Sequence, residues 1–125
     1  MILVDTSIWI ELLSGRQSPP SEDDLPLLVT CAPVLQEVLQ GLKPGSASEA
    51  FRQDFLALPV LSAPVSLELF LAAADIYRAG RRKGVTIRSS VDCLIAAIAI
   101  ENGVPVWHRD RDFTAISRYT SLETL

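Results

Sequence analysis

The chain has 125 residues, 49% apolar and 21% charged, with a net charge of −4 at pH 7. That balance excludes a disordered polymer, and two cysteines exclude a disulfide scaffold, so Cys31 and Cys93 are expected as buried, reduced thiols. The longest apolar run, Cys93–Ile100, falls far short of the roughly 20 residues that cross a bilayer, and no basic segment precedes an apolar one at the start, so a single cytoplasmic domain over residues 1–125 is expected.

Met1–Asp5 reads as a buried first strand that ends in an acid. Thr6 or Ser7 can cap a short helix, Ile8–Leu13, and Gly15–Asp24, with Pro19 and Pro20, is a loop. Leu27–Cys31 follows as a second strand. Pro33 suits a first helical turn, and Val34, Leu35, Val38, Leu39 and Leu42 make a helical stripe that ends within Gly41–Gly45. Ser46 or Ser48 caps another helix, with Phe51, Phe55 and Leu58 at helical spacing before Pro59. Val60–Leu61 is a short third strand. Ser66 opens a longer helix with Leu67, Phe70, Ala74 and Tyr77 on one face, ending in a basic cluster before Gly84. Ser89 or Ser90 caps the next helix, Val91–Asn102, which Gly103 stops; it is apolar on nearly every side and should be central. Val104–Trp107 is a fourth strand, Asp112–Ile116 a short helix, and Tyr119–Thr120 a last edge strand. Short strands alternating with helices define an α/β fold with a mainly parallel sheet.

In such sheets ligands bind beyond the carboxyl ends of the strands. Asp5 ends the first strand and Asp110 and Asp112 follow the fourth, so these acids should meet at one edge. Asp92 lies in the first turn of the most buried helix, and Glu37 sits beside Val34, Leu35 and Val38. Converging carboxylates repel one another, yet they make a good cage for Mg²⁺ or Mn²⁺, hard cations that take oxygen ligands. Each acid also has a plainer reading: Asp92 as a favourable charge at a helix start, Asp5 or Asp110 as a turn residue, Glu37 as a solvated helix residue. His108 is the only histidine, which excludes a His-rich zinc site, and no Gly-rich phosphate loop is present.

Four blocks stand out: Val4-Asp5-Thr6-Ser7-Ile8-Trp9-Ile10, Pro33-Val34-Leu35-Gln36-Glu37-Val38-Leu39-Gln40-Gly41, Val91-Asp92-Cys93-Leu94-Ile95-Ala96-Ala97 and Asp110-Arg111-Asp112-Phe113. In this order they resemble the PIN-domain family, and more narrowly its VapC-type ribonuclease toxins of toxin–antitoxin pairs. The resemblance implies an α/β/α sandwich whose central sheet has about five parallel strands flanked by helices. It places Asp5, Glu37, Asp92 and Asp110 as catalytic metal ligands for Mg²⁺ or Mn²⁺, with Thr6 and Asp112 in support. The chain departs from the common pattern at His108, where many relatives carry a hydroxyl residue two positions before the fourth acid.

The resemblance further implies metal-dependent hydrolysis of RNA phosphodiesters, and a cognate antitoxin protein that covers the active site. A homodimer is expected because a small domain this apolar has surplus surface to bury. RNA must be gripped by bases. Residues 61–125 carry eight bases against three in residues 1–60, and Arg81, Arg82, Lys83 and Arg88, with Arg109 and Arg111 beside the acids, are the candidates. The basic cluster also reads as a solvated helix end, where cations are favoured. Two rival functions stay open: a phosphatase with Asp5 as nucleophile, weakened because position 7 is Ser rather than a second acid, and a catalytically inactive domain that binds a protein partner.

Overall fold

A computed structural model describes all residues, Met1–Leu125. The elements are β1 (Ile2–Val4), α1 (Thr6–Leu13), a single 3₁₀ turn (Leu25–Leu27), β2 (Leu28–Cys31), α2 (Ala32–Gln40), α3 (Ser46–Leu56), β3 (Val60–Leu61), α4 (Leu67–Arg82), α5 (Ser90–Asn102), β4 (Val106–Trp107) and α6 (Arg111–Ser117). The four strands pair in parallel in the order β3-β2-β1-β4. The chain therefore steps outward from β1 to β3 and returns through α4 and α5 to lay β4 on the other side of β1. This reversal opens a crevice at the carboxyl ends of β1 and β4, where ligands of open α/β sheets bind.

The sheet has four strands rather than the expected five or so. Tyr119–Thr120 forms no strand; instead Val106 makes an isolated parallel bridge with Thr124, held by Val106 N to Glu123 O at 3.0 Å and Leu125 N to Val106 O at 2.9 Å. The residue 119 side chain has another task. Tyr119 Oη donates to Ile76 O at 2.9 Å and lies directly over Gly80, where a Cβ would come within 2.6 Å of it. The chain after α6 is thus clamped onto α4.

One core cluster of 25 apolar residues joins both sheet faces to the helices, with Leu3, Val4, Val29, Val34, Ile95, Ile98, Val106 and Phe113 fully enclosed. As expected, α5 is buried nearly all round. On α4, however, the buried face is Leu69, Ala73, Ile76 and Gly80, while Leu67, Phe70, Leu71 and Ala74 are exposed. The buried face carries the small residues Ala73 and Gly80, which let neighbouring elements approach α4 closely, Tyr119 at Gly80 among them, and this close approach wins over burial of the bulkier stripe. An aromatic group packs α1 against α3: Trp9 stands edge-on to Phe55 with centroids 4.9 Å apart, and Phe51 stacks on Phe55 at 5.3 Å.

Candidate active site

Asp5 caps α1 in place of the expected Thr6 or Ser7. Its backbone is extended, and Oδ2 accepts from Ser7 N at 3.1 Å and from Ser7 Oγ at 2.6 Å. The two hydroxyls that sequence alone made capping candidates are used otherwise. Thr6 Oγ1 donates to Glu37 Oε1 at 3.0 Å, and Ser7 Oγ, while donating to Asp5, accepts from Arg109 N at 3.0 Å. Ser7 therefore ties the β1–α1 junction to the β4–α6 junction. The main-chain bond from Asp5 N to Trp107 O, 2.9 Å, does the same on the strand side.

The β4–α6 junction is built the same way. Asp110 caps α6, with Oδ1 accepting from Asp112 N at 2.9 Å, and its own N–H donates to His108 Nδ1 at 3.1 Å. An acceptor at Nδ1 puts the proton of the neutral ring on Nε2. Burial holds the His108 pKa below its ordinary value and so favours that neutral form, and its ring packs at 5.2 Å from Phe113. Asp112 Oδ2 accepts from Ser89 N at 3.2 Å, which fastens the start of α5 to the start of α6. This contact brings in Asp92, one helical turn along α5.

One oxygen each from Asp92, Asp110 and Asp112 lies within 4.8 Å of the others. Asp112 is thus as close to the cluster as Asp110, nearer than its expected supporting place. Asp5 and Glu37 stand a step further out, close enough for their charges to be felt. Burial, followed by the Asp110 and Asp5 carboxylates, raises the Asp92 carboxyl to about 9. Burial likewise raises Asp5 and Glu37, with smaller repulsive contributions from neighbouring acids. Asp92, only 5% exposed, keeps Oδ2 buried without any hydrogen-bond partner. An orphaned buried carboxylate oxygen is costly. Among three carboxylates it has the donor chemistry of a hard divalent cation site.

The one cation at the cluster is Arg88, with Nη2 3.7 Å from Asp110 Oδ1 and Nε 3.7 Å from Asp112 Oδ1. Its side chain is 57% exposed, so it neutralises the rim rather than the buried oxygen. Arg109 points elsewhere: Nε lies 3.6 Å from Glu11 Oε2 and Nη2 donates to Gln17 Oε1 at 2.9 Å. Arg81, Arg82 and Lys83 are exposed at the end of α4, and Arg111 at the start of α6. The sequence offered Ser7 only as a helix cap and not as a partner of the site, although a serine two residues after an extended aspartate is a recurrent turn partner for that carboxylate. Cys31 and Cys93 are free and buried as expected, their thiols raised by burial to about 12 and about 11.

Acids at two neighbouring strand ends, on a sheet reversed beside β1, describe a class of fold, and sequence comparison names it. Residues 2–119 match the PIN domain, and the chain belongs to the PIN-domain family. Within that family it falls with the VapC type. It is 38% identical over 130 residues to Ribonuclease VapC11 of Mycobacterium tuberculosis and to a VapC ribonuclease of Mycobacterium bovis, covering 98% of this chain and 96% of each relative. Among solved structures it resembles VapBC2 from Rickettsia felis, crystallised with a promoter DNA fragment, at a TM-score of 0.77 and 20% identity over 100% of this chain and 98% of that one. It also resembles VapBC-5 from M. tuberculosis, at a TM-score of 0.71 and 22% identity over 98% and 95% of the two chains. At those identities the structures speak for the fold alone.

Proposed function

We propose that this chain is a divalent-metal-dependent ribonuclease, the toxin of a toxin–antitoxin pair. The observation that carries the reading is the convergence of Asp92, Asp110 and Asp112 around a buried, unpartnered Asp92 oxygen, with Asp5 and Glu37 beside it. Relatives named as ribonucleases, similar over nearly the whole chain, support it. Asp5, Glu37, Asp92 and Asp110 are the proposed catalytic ligands of Mg²⁺ or Mn²⁺, with Asp112 in the same cluster. When bound, such an ion supplies an acidified water and neutralises charge on the phosphate. The protein's part is positional. Ser7 fixes the Asp5 carboxylate, Thr6 fixes Glu37, and His108 holds the main-chain turn that presents Asp110. Asp5 Oδ2 already accepts two hydrogen bonds, which suits an oriented ligand better than a covalent phosphatase nucleophile.

RNA would approach over the arginines. Arg88 and Arg111 flank the acids, and Arg81, Arg82 and Lys83 stand free of carboxylate partners at the end of α4. An antitoxin and a second copy of this chain are the proposed protein partners. Two exposed apolar grooves are available to them: one of about 460 Å³ between α4 and α5, floored by Phe70, Tyr77 and Leu94, and one of about 470 Å³ between α1, the α2–α3 connection and α3, floored by Ile10, Leu13 and Phe51.

The test is cleavage of RNA by the purified chain in Mn²⁺ or Mg²⁺ and in chelator. Cleavage is expected only with metal, and Asp92→Asn, which keeps the side chain's shape, is expected to lower the rate about a thousandfold, as loss of several kcal/mol of charge stabilisation implies. A small phosphate ester should go unhydrolysed. Cleavage that survives both chelator and Asp92→Asn would overturn the reading.

A further inference from the structure

Beside Asp112 lies a further cavity, of about 330 Å³, lined by arginines and threonines with Ala115 as its one hydrophobic residue. Three arginines line it, Arg88, Arg111 and Arg118, together with the hydroxyl residues Thr86 and Thr114. The only carboxylate in its wall is Asp112, which it shares with the acid cluster. Arg88 is already paired with Asp110 and Asp112, whereas no carboxylate lies within 4.0 Å of Arg111 or Arg118. In a chain with fifteen acids and eleven bases, two arginines that share one cavity and go without partners leave an excess of positive charge there. Guanidinium donors with neighbouring hydroxyls are the chemistry that recognises a phosphate oxygen.

We infer that this cavity is a phosphate subsite, which seats a backbone phosphate of the RNA strand next to the one being cut. The inference rests on the ribonuclease reading and deepens it. Arg118 is the residue it adds: it lies just beyond α6, and the Tyr119 clamp on α4 holds the chain at that point. Arg88 is shared between the two sites, since its guanidinium touches the acids while its side chain also lines the cavity. A phosphate seated here would set the strand's register across the acid cluster. The contact is the same before and during cleavage, so it serves binding rather than the chemical step.

The experiment measures binding of a labelled twelve-nucleotide single-stranded RNA across a salt series. The Asp92→Asn chain is compared with the same chain carrying Arg111→Gln and Arg118→Gln, so that neither cuts the probe. Loss of both arginines is expected to weaken binding at low salt by about tenfold or more. It should also shallow the slope of log affinity against log salt by about 0.7, the value for one neutralised phosphate on a single strand. With Asp92 intact, the arginine pair should raise KM while kcat changes little. Both substitutions lie on the surface, and an unchanged melting temperature verifies the fold. An unchanged affinity and slope overturns the subsite, as it would if the cavity instead took an acidic peptide, while RNA cleavage by the parent chain leaves the ribonuclease reading standing. A parent chain that cuts no RNA in Mn²⁺ overturns that reading, and the subsite with it.

Discussion

The two strand-to-helix junctions that frame the site use one device and stabilise it differently. At β1–α1 an aspartate caps the helix and is enclosed, 3% exposed, with its charge met only by Ser7 and the main chain. At β4–α6 an aspartate caps the helix at the rim, its side chain 29% exposed and opposed by Arg88. Between them Asp92 has neither a hydrogen bond to its inner oxygen nor a cation of its own. Acids that cap helices serve the fold whether or not a ligand is present, so Asp5 and Asp110 are held by local geometry. Asp92 is the member whose surroundings satisfy its charge least.

Ser7→Ala should disturb the enclosed junction most. It removes the 2.6 Å bond to Asp5 and strands Arg109 N, so the chain should lose about 1–2 kcal/mol in denaturant unfolding. It should also lose roughly 10- to 100-fold in RNA cleavage, the usual cost of losing a group that orients a ligand. Loss of stability with full activity would show that Asp5 needs no such orientation.

A pH series in chelator sharpens the contrast at Asp92. Its folded pKa, about 9, lies above the ordinary carboxylate value, so the folded state holds a proton that the unfolded state has released. That contribution is complete below about pH 4 and is lost as pH rises toward 9, with Asp5 and Glu37 acting in the same direction. The depressed His108 acts oppositely, costing stability as pH falls below its ordinary value of 6.5, so the cleanest window is pH 7 to 9. There the melting temperature should fall with rising pH in the parent and stay flatter in Asp92→Asn. If Asp92 served only as a favourable charge at the start of α5, the Asn variant would instead lose up to about 1 kcal/mol throughout that window.

The smallest effect is expected at the exposed junction. Arg88→Gln removes a largely solvated ion pair and should change stability in chelator by less than about 1 kcal/mol, measured by denaturant unfolding. A larger loss would mean that the rim acids depend on Arg88 as much as Asp5 depends on Ser7.

These contrasts also show why some of the site was legible in the sequence. Strand ends and helix starts are marked by short local signals, so Asp5, Asp110 and Asp112 could be placed at one edge of a parallel sheet and Asp92 in the first turn of a buried helix. Choices among competing partners are not local. Whether Asp5, Thr6 or Ser7 caps α1 depends on Glu37 and Arg109, 31 and 102 residues away from their partners. The buried face of α4 could not be read either, because two stripes compete along that helix and the poorer in large side chains wins. Gly80 gives the physical reason: the space a side chain would fill belongs to Tyr119. The missing fifth strand is the same kind of case, since residue 119 turns to α4 while Glu123–Leu125 reaches β4.

That last contact bears on how the molecule can join others. An uncovered strand edge is a template on which another backbone can add. Here Val106 spends its outward N–H and C=O on Glu123 and Leu125, so the β4 side of the sheet is closed by the chain itself. At the opposite side β3 is two residues long, and Pro64, which has no N–H to offer, follows soon after. The sheet is thus poorly suited to growth by strand addition at either margin, and a protein that docks on this one must do so through its helices.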